Sequence, residues 1–160
     1  MEITAIDDRV EDGEWWFLPR YAGYVASGIR LGEVYMHDVR SMVQNVLRKV
    51  GSSQITRLNV IDHGSPRGVQ FGSDQITLET IGAHAAMLGR LRGHFAKDGF
   101  VHLQHCQIAQ NQALMIAFSR VFGVSVYGGT GYHNPIYRVN LGEYVVCRHS
   151  GPCEVGVDRP

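Results

Sequence analysis

The sequence predicts one α/β domain built on a mainly parallel sheet that is sandwiched by helices. In the central part, segments with helical apolar spacing alternate with short apolar strands, in the order helix, strand, helix, strand, helix, strand. A length of 160 residues suits one domain with a sizeable core and is short for two. Because no repeat, low-complexity tract or linker interrupts the sequence, residues 1–160 are predicted to form a single domain.

The composition of the chain limits which classes of binding partner and which location are expected. Hydrophobic residues make up 44% and charged residues 19% of the chain, a balance that argues against disorder. The net charge is zero, so nucleic acid is a poor partner, and weak charge repulsion allows a homodimer. The first ten residues lack the apolar stretch of a signal peptide, and no window is apolar enough for a membrane span. The expected location is cytoplasmic, or outside the cell by export without a cleaved signal peptide.

The N-terminal part is predicted to be rich in β-strands. Residues 2–6, 15–18 and 32–36 are short runs of aromatic or branched side chains, and their order in the sheet is unreadable. The first helix follows, with Asp38 as its N-cap and Gly51 as its stop. Its apolar residues recur at helical spacing.

A strand at 55–61 ends abruptly in the polar sequence Asp-His-Gly at 62–64. Residues 68–76 then predict a small hairpin with its turn at Gly72-Ser73. The second helix is predicted over 78–97, although its glycines each weaken a helix by about 1 kcal/mol. This region therefore supplies one strand end with chemically active side chains.

The next strand, 100–103, leads directly to His105 and Cys106. A third helix is predicted from the N-cap Asn111 to Gly123, and a strand follows at 124–127. A C-terminal β-hairpin, with strands at 137–141 and 144–147 around Gly142, completes the chain.

Three strand ends are expected to lie along one edge of the parallel sheet. They carry residues 62–64, residues 104–106 and the Gly-Gly-Thr-Gly sequence at 128–131. In open parallel sheets, sites form outside the carboxyl ends of the strands. A cysteine nucleophile needs a nearby base, which His63 supplies for Cys106. The backbone N–H groups of Gly64 and Cys106 are the expected oxyanion donors.

This ordered set resembles the caspase-like (clan CD) cysteine peptidases. Cys106 lies 43 residues after His63, close to the roughly 50-residue spacing of caspases. Residues 104–107, Gln-His-Cys-Gln, are similar to the start of the Gln-Ala-Cys pentapeptide of that family. Residues 58–131 are most similar to the caspase-like domains of large bacterial surface proteins, in which a Ser-His-Gly-Ser turn precedes a Gly-Cys-Asn turn and a Thr-Gly segment.

The resemblance implies a caspase-haemoglobinase-like fold and a cysteine endopeptidase that needs no cofactor or metal. It implies that His63 is the general acid/base and Cys106 the nucleophile, and that the substrate is a protein or peptide. Gln104 would line the pocket for the residue before the scissile bond. The other expected substrate contacts are Asp62, Gln107 and Thr130.

Two further interpretations remain open. The first is a catalytically inactive caspase-like module that binds a protein partner, and the second is a small-molecule domain with a ligand near 128–131. A zinc site is disfavoured because His102 and His105 should point to opposite faces of their strand. Cys147 and Cys153 are close enough in sequence to pair, but reduced thiols are expected in a cytoplasmic protein.

Overall fold

The computed structural model describes residues 1–7, 33–134 and 139–160. Its strands are β1 Glu2–Asp7, β2 Glu33–Met36, β3 Ile55–Ile61, β4 Gly64–Ser65, β5 Gly68–Phe71, β6 Asp74–Ile76, β7 Phe95–Gln104, β8 Ser125–Gly129, β9 His133–Asn134, β10 Val139–Asn140, β11 Tyr144–Cys147 and β12 Glu154–Val157. Its α-helices are α1 Val39–Val50, α2 Ile81–Leu88 and α3 Gln112–Phe122, and 3-10 helices span Gly89–His94 and Ile108–Gln110. None of these helices is long and apolar enough to cross a membrane.

The central sheet has seven strands in the order β2-β1-β3-β7-β8-β11-β12. The first five are mutually parallel, and β11 runs antiparallel to both of its neighbours. The predicted α/β class with a mainly parallel sheet is therefore confirmed. Two small sheets, β4-β5-β6 and β9-β10, lie beside it, and the first of these contains the predicted hairpin.

The described helices lie on one face of the sheet, whereas helices on both faces were expected. Helix α2 contacts both α1 and α3, which places all three in one layer. Strand order explains this, because the connections β2 to β3, β3 to β7 and β7 to β8 all advance across the sheet in the same direction. Right-handed crossovers that advance in one direction cover the same face. The reverse step, from β1 to β2, runs through residues outside the described ranges.

The two faces of the sheet differ in chemistry. Leu58, Leu103 and their neighbours point into the apolar core under the helices. The alternate residues on the central strands form a second face that combines buried polar side chains with a small apolar cluster of Ile6 and Ile61. Its most buried polar members are Thr4, Asn59, His102 and Gln104.

Helix α1 has the caps that the sequence predicts. Asp38 accepts a hydrogen bond from the Ser41 N–H at 2.6 Å, and the Ser41 hydroxyl accepts one from the Asp38 N–H at 2.9 Å. The bond from the Ser41 N–H is the main cause that lowers the pKa of Asp38. The helix ends at Gly51, whose φ of +53° favours glycine.

The second helix is much shorter than predicted. It was expected over 78–97, but α2 ends at Leu88, a 3-10 helix follows, and β7 begins at Phe95. A turn closed by the Thr77 N–H and the Thr80 hydroxyl, 2.9 Å apart, precedes α2 and delays its start. The glycines after Leu88 explain the early end, since they favour departure from α-helical geometry.

The predicted C-terminal hairpin is wrong in its pairing. Strand β10 pairs with β9, whereas β11 enters the central sheet between β8 and β12. The turn at Gly142 separates the two, because the Gly142 N–H bonds to the Asn140 side chain at 2.9 Å. The expected strand at 15–18 and part of the expected strand at 137–141 lie outside the described residues.

Cys147 and Cys153 form a disulfide, although reduced thiols were expected. Cys147 is the last residue of β11, and Cys153 immediately precedes β12. Antiparallel pairing of these strands brings the two Cα atoms to 4.3 Å. The bond therefore closes the connection between the last two strands of the sheet, and Cys106 is the free cysteine.

Candidate functional site

Two adjacent strand ends bring His63 and Cys106 to the same edge of the sheet. Strands β3 and β7 are parallel neighbours, and their register pairs Ile61 with Gln104. Because the two chains leave the sheet side by side, the residues that follow β3 and β7, among them His63 and Cys106, emerge at the same edge. Both residues are half-buried.

Gly64 lies against the backbone that carries Cys106. A Cβ placed on Gly64 would lie 2.7 Å from the His105 Cβ and 2.8 Å from the Cys106 carbonyl oxygen, which no real side chain tolerates. Strand β4 pairs with β5, and the Gln70 N–H donates to the His63 carbonyl at 2.9 Å. Since antiparallel positions alternate between bonded and non-bonded pairs, the Gly64 N–H points away from β5.

Asp62 holds the turn that carries His63. Its carboxylate is buried and accepts the His63 N–H at 2.7 Å and the Gly72 N–H at 2.8 Å. The first bond fixes the backbone of His63, and the second ties it to the tip of the β5–β6 hairpin. Both carboxylate oxygens of this predicted substrate contact are therefore used inside the protein.

His105 is a fully buried residue of the core side. Its ring stacks on Phe71 with centroids 5.7 Å apart, and its Nε2 lies 2.9 Å from the carbonyl oxygen of Gln70. A carbonyl only accepts, so Nε2 carries the proton. The backbone of Gln70 thus bonds to both strand ends, through His63 on one side and His105 on the other.

Gln104 points to the opposite, polar face. Its Nε2 donates to the Asn59 Oδ1 at 3.0 Å, and its buried Oε1 has no hydrogen-bond partner among the described residues. His102 lies on the same face, where Arg57 approaches its Nδ1 to 3.1 Å. Burial is the main cause that lowers the pKa of His102 well below its usual value, and the charge of Arg57 adds to it. The predicted split of His102 and His105 between the two faces is confirmed.

The Cys106 thiol receives a hydrogen bond that the sequence did not indicate. The backbone N–H of His133 donates to the Cys106 sulfur at 3.4 Å. Hydrogen bonds to the charged form of an acid favour that form, and the thiolate is the nucleophilic form of cysteine. His133 follows a Gly-rich turn closely in sequence, which is too weak a signal for such a role.

Gln107 adopts a left-handed backbone conformation immediately after Cys106. Its φ is +57°, the one positive value at a non-glycine position in the described ranges. Its N–H donates to the Gly131 carbonyl at 2.8 Å, which joins this turn to the segment after β8. Non-glycine residues in this conformation cost free energy and concentrate at functional sites.

Other protein atoms fill the space around the segment 128–131. Added Cβ atoms would collide with Ile108 at Gly128, with Asn140 at Gly129 and with Gly142 at Gly131. The Thr130 hydroxyl accepts the Glu143 N–H at 2.9 Å. The glycines therefore permit close packing of this turn, and the hydroxyl predicted to face substrate is used in a hydrogen bond to the chain after β10.

The arrangement offers a thiol, a histidine at the neighbouring strand end and several backbone N–H groups at one edge. In the described part of the chain, no group of three His, Cys, Asp or Glu side chains is placed to hold a metal ion. Thiolate attack on a carbonyl, with histidine as proton carrier and N–H groups around the oxyanion, is the chemistry that such a set performs.

Comparison with known proteins gives a family and no activity. No curated protein matches the chain. A family model described as a domain of unknown function, DUF4347, matches residues 6–130. That range begins at the fifth residue of β1 and ends before His133. It includes β8 and the two candidate strand ends, which follow β3 and β7. Since the match covers most of the chain, this protein belongs to the DUF4347 family.

Proposed function

We propose that this protein is a caspase-like cysteine peptidase in which Cys106 is the nucleophile and His63 is the general acid/base. One observation carries the proposal. The His63-Gly64 turn packs directly on the backbone of Cys106, at the carboxyl edge of two parallel neighbouring strands. Sheets of this class place their sites at that edge. The Gln-His-Cys-Gln sequence and the His-to-Cys spacing support the same family.

The proposed reaction proceeds in two steps. The thiol of Cys106 gives its proton to His63, and the resulting thiolate attacks the scissile carbonyl carbon. The N–H of Gly64 donates to the developing oxyanion, and collapse of the tetrahedral species breaks the peptide C–N bond as His63 protonates the leaving amine. Water then attacks the thioester, releases the new carboxylic acid and restores the thiol.

Cleavage of a complex peptide library tests this function. Wild type, Cys106→Ala and His63→Ala are each incubated with the library, and new termini are identified by mass spectrometry. His149→Ala is the matched control, since His149 is an exposed histidine that follows β11, near the opposite edge of the sheet. We expect cleavage by wild type and His149→Ala and none by the other two variants. Cleavage that survives in Cys106→Ala would contradict the proposal.

The inactive binding module is the second candidate function. It is favoured by the internal use of Asp62 and Gln104, two residues expected to contact substrate. In that case a folded wild type cleaves no library peptide, and Cys106→Ala matches it in every functional assay. The library experiment therefore separates the two candidates.

A further inference from the structure

Asn140 makes an unusually complete set of hydrogen bonds beside the candidate site. Its Oδ1 accepts the N–H of Gly131 at 2.8 Å and that of Gly142 at 2.9 Å, and its Nδ2 donates to the Gly131 carbonyl at 2.8 Å. Its own N–H donates to the Tyr144 hydroxyl at 2.9 Å, which anchors it to the central sheet. The side chain also occupies the space that a Cβ on Gly129 would need.

These bonds lead to Cys106 by two short routes. The Gly131 carbonyl that Asn140 binds also accepts the N–H of Gln107, the residue after Cys106. Asn140 is also the register partner of His133 in the β9–β10 ladder, and the His133 N–H donates to the Cys106 sulfur. Asn140 therefore binds the Gly131 segment with its side chain and pairs with the His133 segment through the β9–β10 ladder.

A primary amide suits this position for a chemical reason. It accepts with one end and donates with the other, so a single side chain can bind both the N–H and the carbonyl of Gly131. Alanine would leave these backbone groups to find other partners, and the segment 131–133 would lose its fixed distance from the thiol.

We propose that Asn140 is a positioning residue that acts through His133 to keep an N–H donor on the Cys106 sulfur. The inference rests on the proposed function for the choice of Cys106 as the reacting atom. The hydrogen bonds themselves are independent of whether peptide is cleaved. A fixed donor favours the thiolate over the thiol, so Asn140 sets how readily Cys106 reacts.

Alkylation of Cys106 by iodoacetamide across a range of pH tests the role. Without reductant, the disulfide protects the other two cysteines, and peptide mass spectrometry confirms the modified residue. For Asn140→Ala we expect the pH of half-maximal rate to rise and the rate at neutral pH to fall by about fivefold, the equivalent of one hydrogen bond. His63, His105 and His133, the histidines next to this turn, are unchanged in the variant.

Two control variants distinguish a positioning role of Asn140 from a general loosening of the protein structure. Leu141→Ala changes the exposed neighbour of Asn140, and Ser119→Ala removes a buried hydrogen bond to the Val124 carbonyl far from the thiol. Both should keep the wild-type pH profile. In NMR spectra, the His133 amide resonance should move in Asn140→Ala in the same direction as in Cys106→Ala.

Each outcome has a defined meaning. The inference is overturned if Asn140→Ala leaves the pH of half-maximal alkylation rate unchanged, since Asn140 would then have no effect on the thiol. It is also overturned if alkylation becomes faster at every pH while that pH stays the same, since Asn140 would then only shield the thiol. If the pH of half-maximal alkylation rate rises in Asn140→Ala and wild type cleaves no peptide, the role of Asn140 is supported and the proposed peptidase is not. If wild type cleaves peptides and that pH is unchanged in Asn140→Ala, the proposed peptidase is supported and the role of Asn140 is not.

Discussion

Gly64 and Cys106 are in backbone contact, so close that a Cβ on Gly64 would lie 2.8 Å from the Cys106 carbonyl oxygen and 3.2 Å from its nitrogen. This contact couples the two strand ends of the candidate site. Any displacement of the β3–β4 turn is transmitted to the residue that carries the thiol. Gly64 is therefore required by packing, whatever its N–H does in catalysis.

Replacing Gly64 by alanine tests that requirement. We expect Gly64→Ala to lose about 1–3 kcal/mol of unfolding free energy, the usual cost of overpacking, and to change the alkylation rate of Cys106. Gly82→Ala is the matched control, because nothing lies within 4 Å of a Cβ at that helical position. The control should gain at most about 1 kcal/mol, the helix-propensity difference between glycine and alanine in a helix interior. Urea unfolding measures both, and equal stability of the two variants would show that the contact is unimportant.

Gln107 allows a second test of backbone geometry. Glycine adopts a φ of +57° without strain, so Gln107→Gly should stay within about 1 kcal/mol of wild type in unfolding free energy. Gln107→Val should lose about 1–3 kcal/mol, because a β-branched residue is an outlier in this conformation. Comparison of the two by urea unfolding isolates the backbone requirement. If both variants unfold alike, the left-handed conformation is not a constraint.

Local signals in the sequence predicted much of the central fold. The limits of β3 and the caps of α1 at Asp38 and Gly51 are as expected. Residues that are close together in the sequence determine both a buried strand and a capped amphipathic helix. The order of the first strands was not readable, since pairing of β1 with β3 joins residues far apart in sequence. The C-terminal pairing failed for a different reason, because β10 and β11 each pair with another nearby strand instead of with each other.

The candidate site was predicted in part. Register and the Gly64 contact set the two strand ends together, as expected from parallel strands that end at one edge. The sequence did not indicate His133, whose N–H donates to the Cys106 sulfur, or Asn140, whose side-chain amide binds the Gly131 carbonyl that the Gln107 N–H also reaches. These residues pair in the β9–β10 ladder, which was not predicted. Sequence reasoning also could not foresee that Asp62 and Thr130 would direct their oxygens to backbone N–H groups.

The disulfide between Cys147 and Cys153 predicts a dependence on reductant. Closing a short loop of this size stabilises a protein by about 2 kcal/mol in the chain-entropy model. We expect reductant to lower the melting temperature of wild type, and Cys153→Ser to melt at the reduced value in both conditions. Titration with a thiol reagent should find one reactive thiol per unfolded chain without reductant and three with it. Three thiols without reductant would show that the bond does not form.

The buried His102 predicts how stability changes with pH. Its folded-state pKa is well below the usual value because of burial, so the native protein keeps it neutral in mildly acidic solution. In the unfolded chain it takes up a proton below about pH 6.5. The unfolded state then binds more protons, so unfolding free energy should fall as pH drops below that value and be unaffected by His102 above it.

Replacing His102 by glutamine should remove this contribution, which reaches about 1.4 kcal/mol per pH unit for one proton. The glutamine oxygen can still accept the hydrogen bond that Arg57 directs to the ring Nδ1 at 3.1 Å. Urea unfolding at a series of pH values should give a shallower acid slope for His102→Gln than for wild type. His149→Gln, at an exposed site, should keep the wild-type slope. Parallel acid slopes for wild type and His102→Gln would mean that His102 already carries its proton in the folded protein, and that Arg57 does not donate to Nδ1.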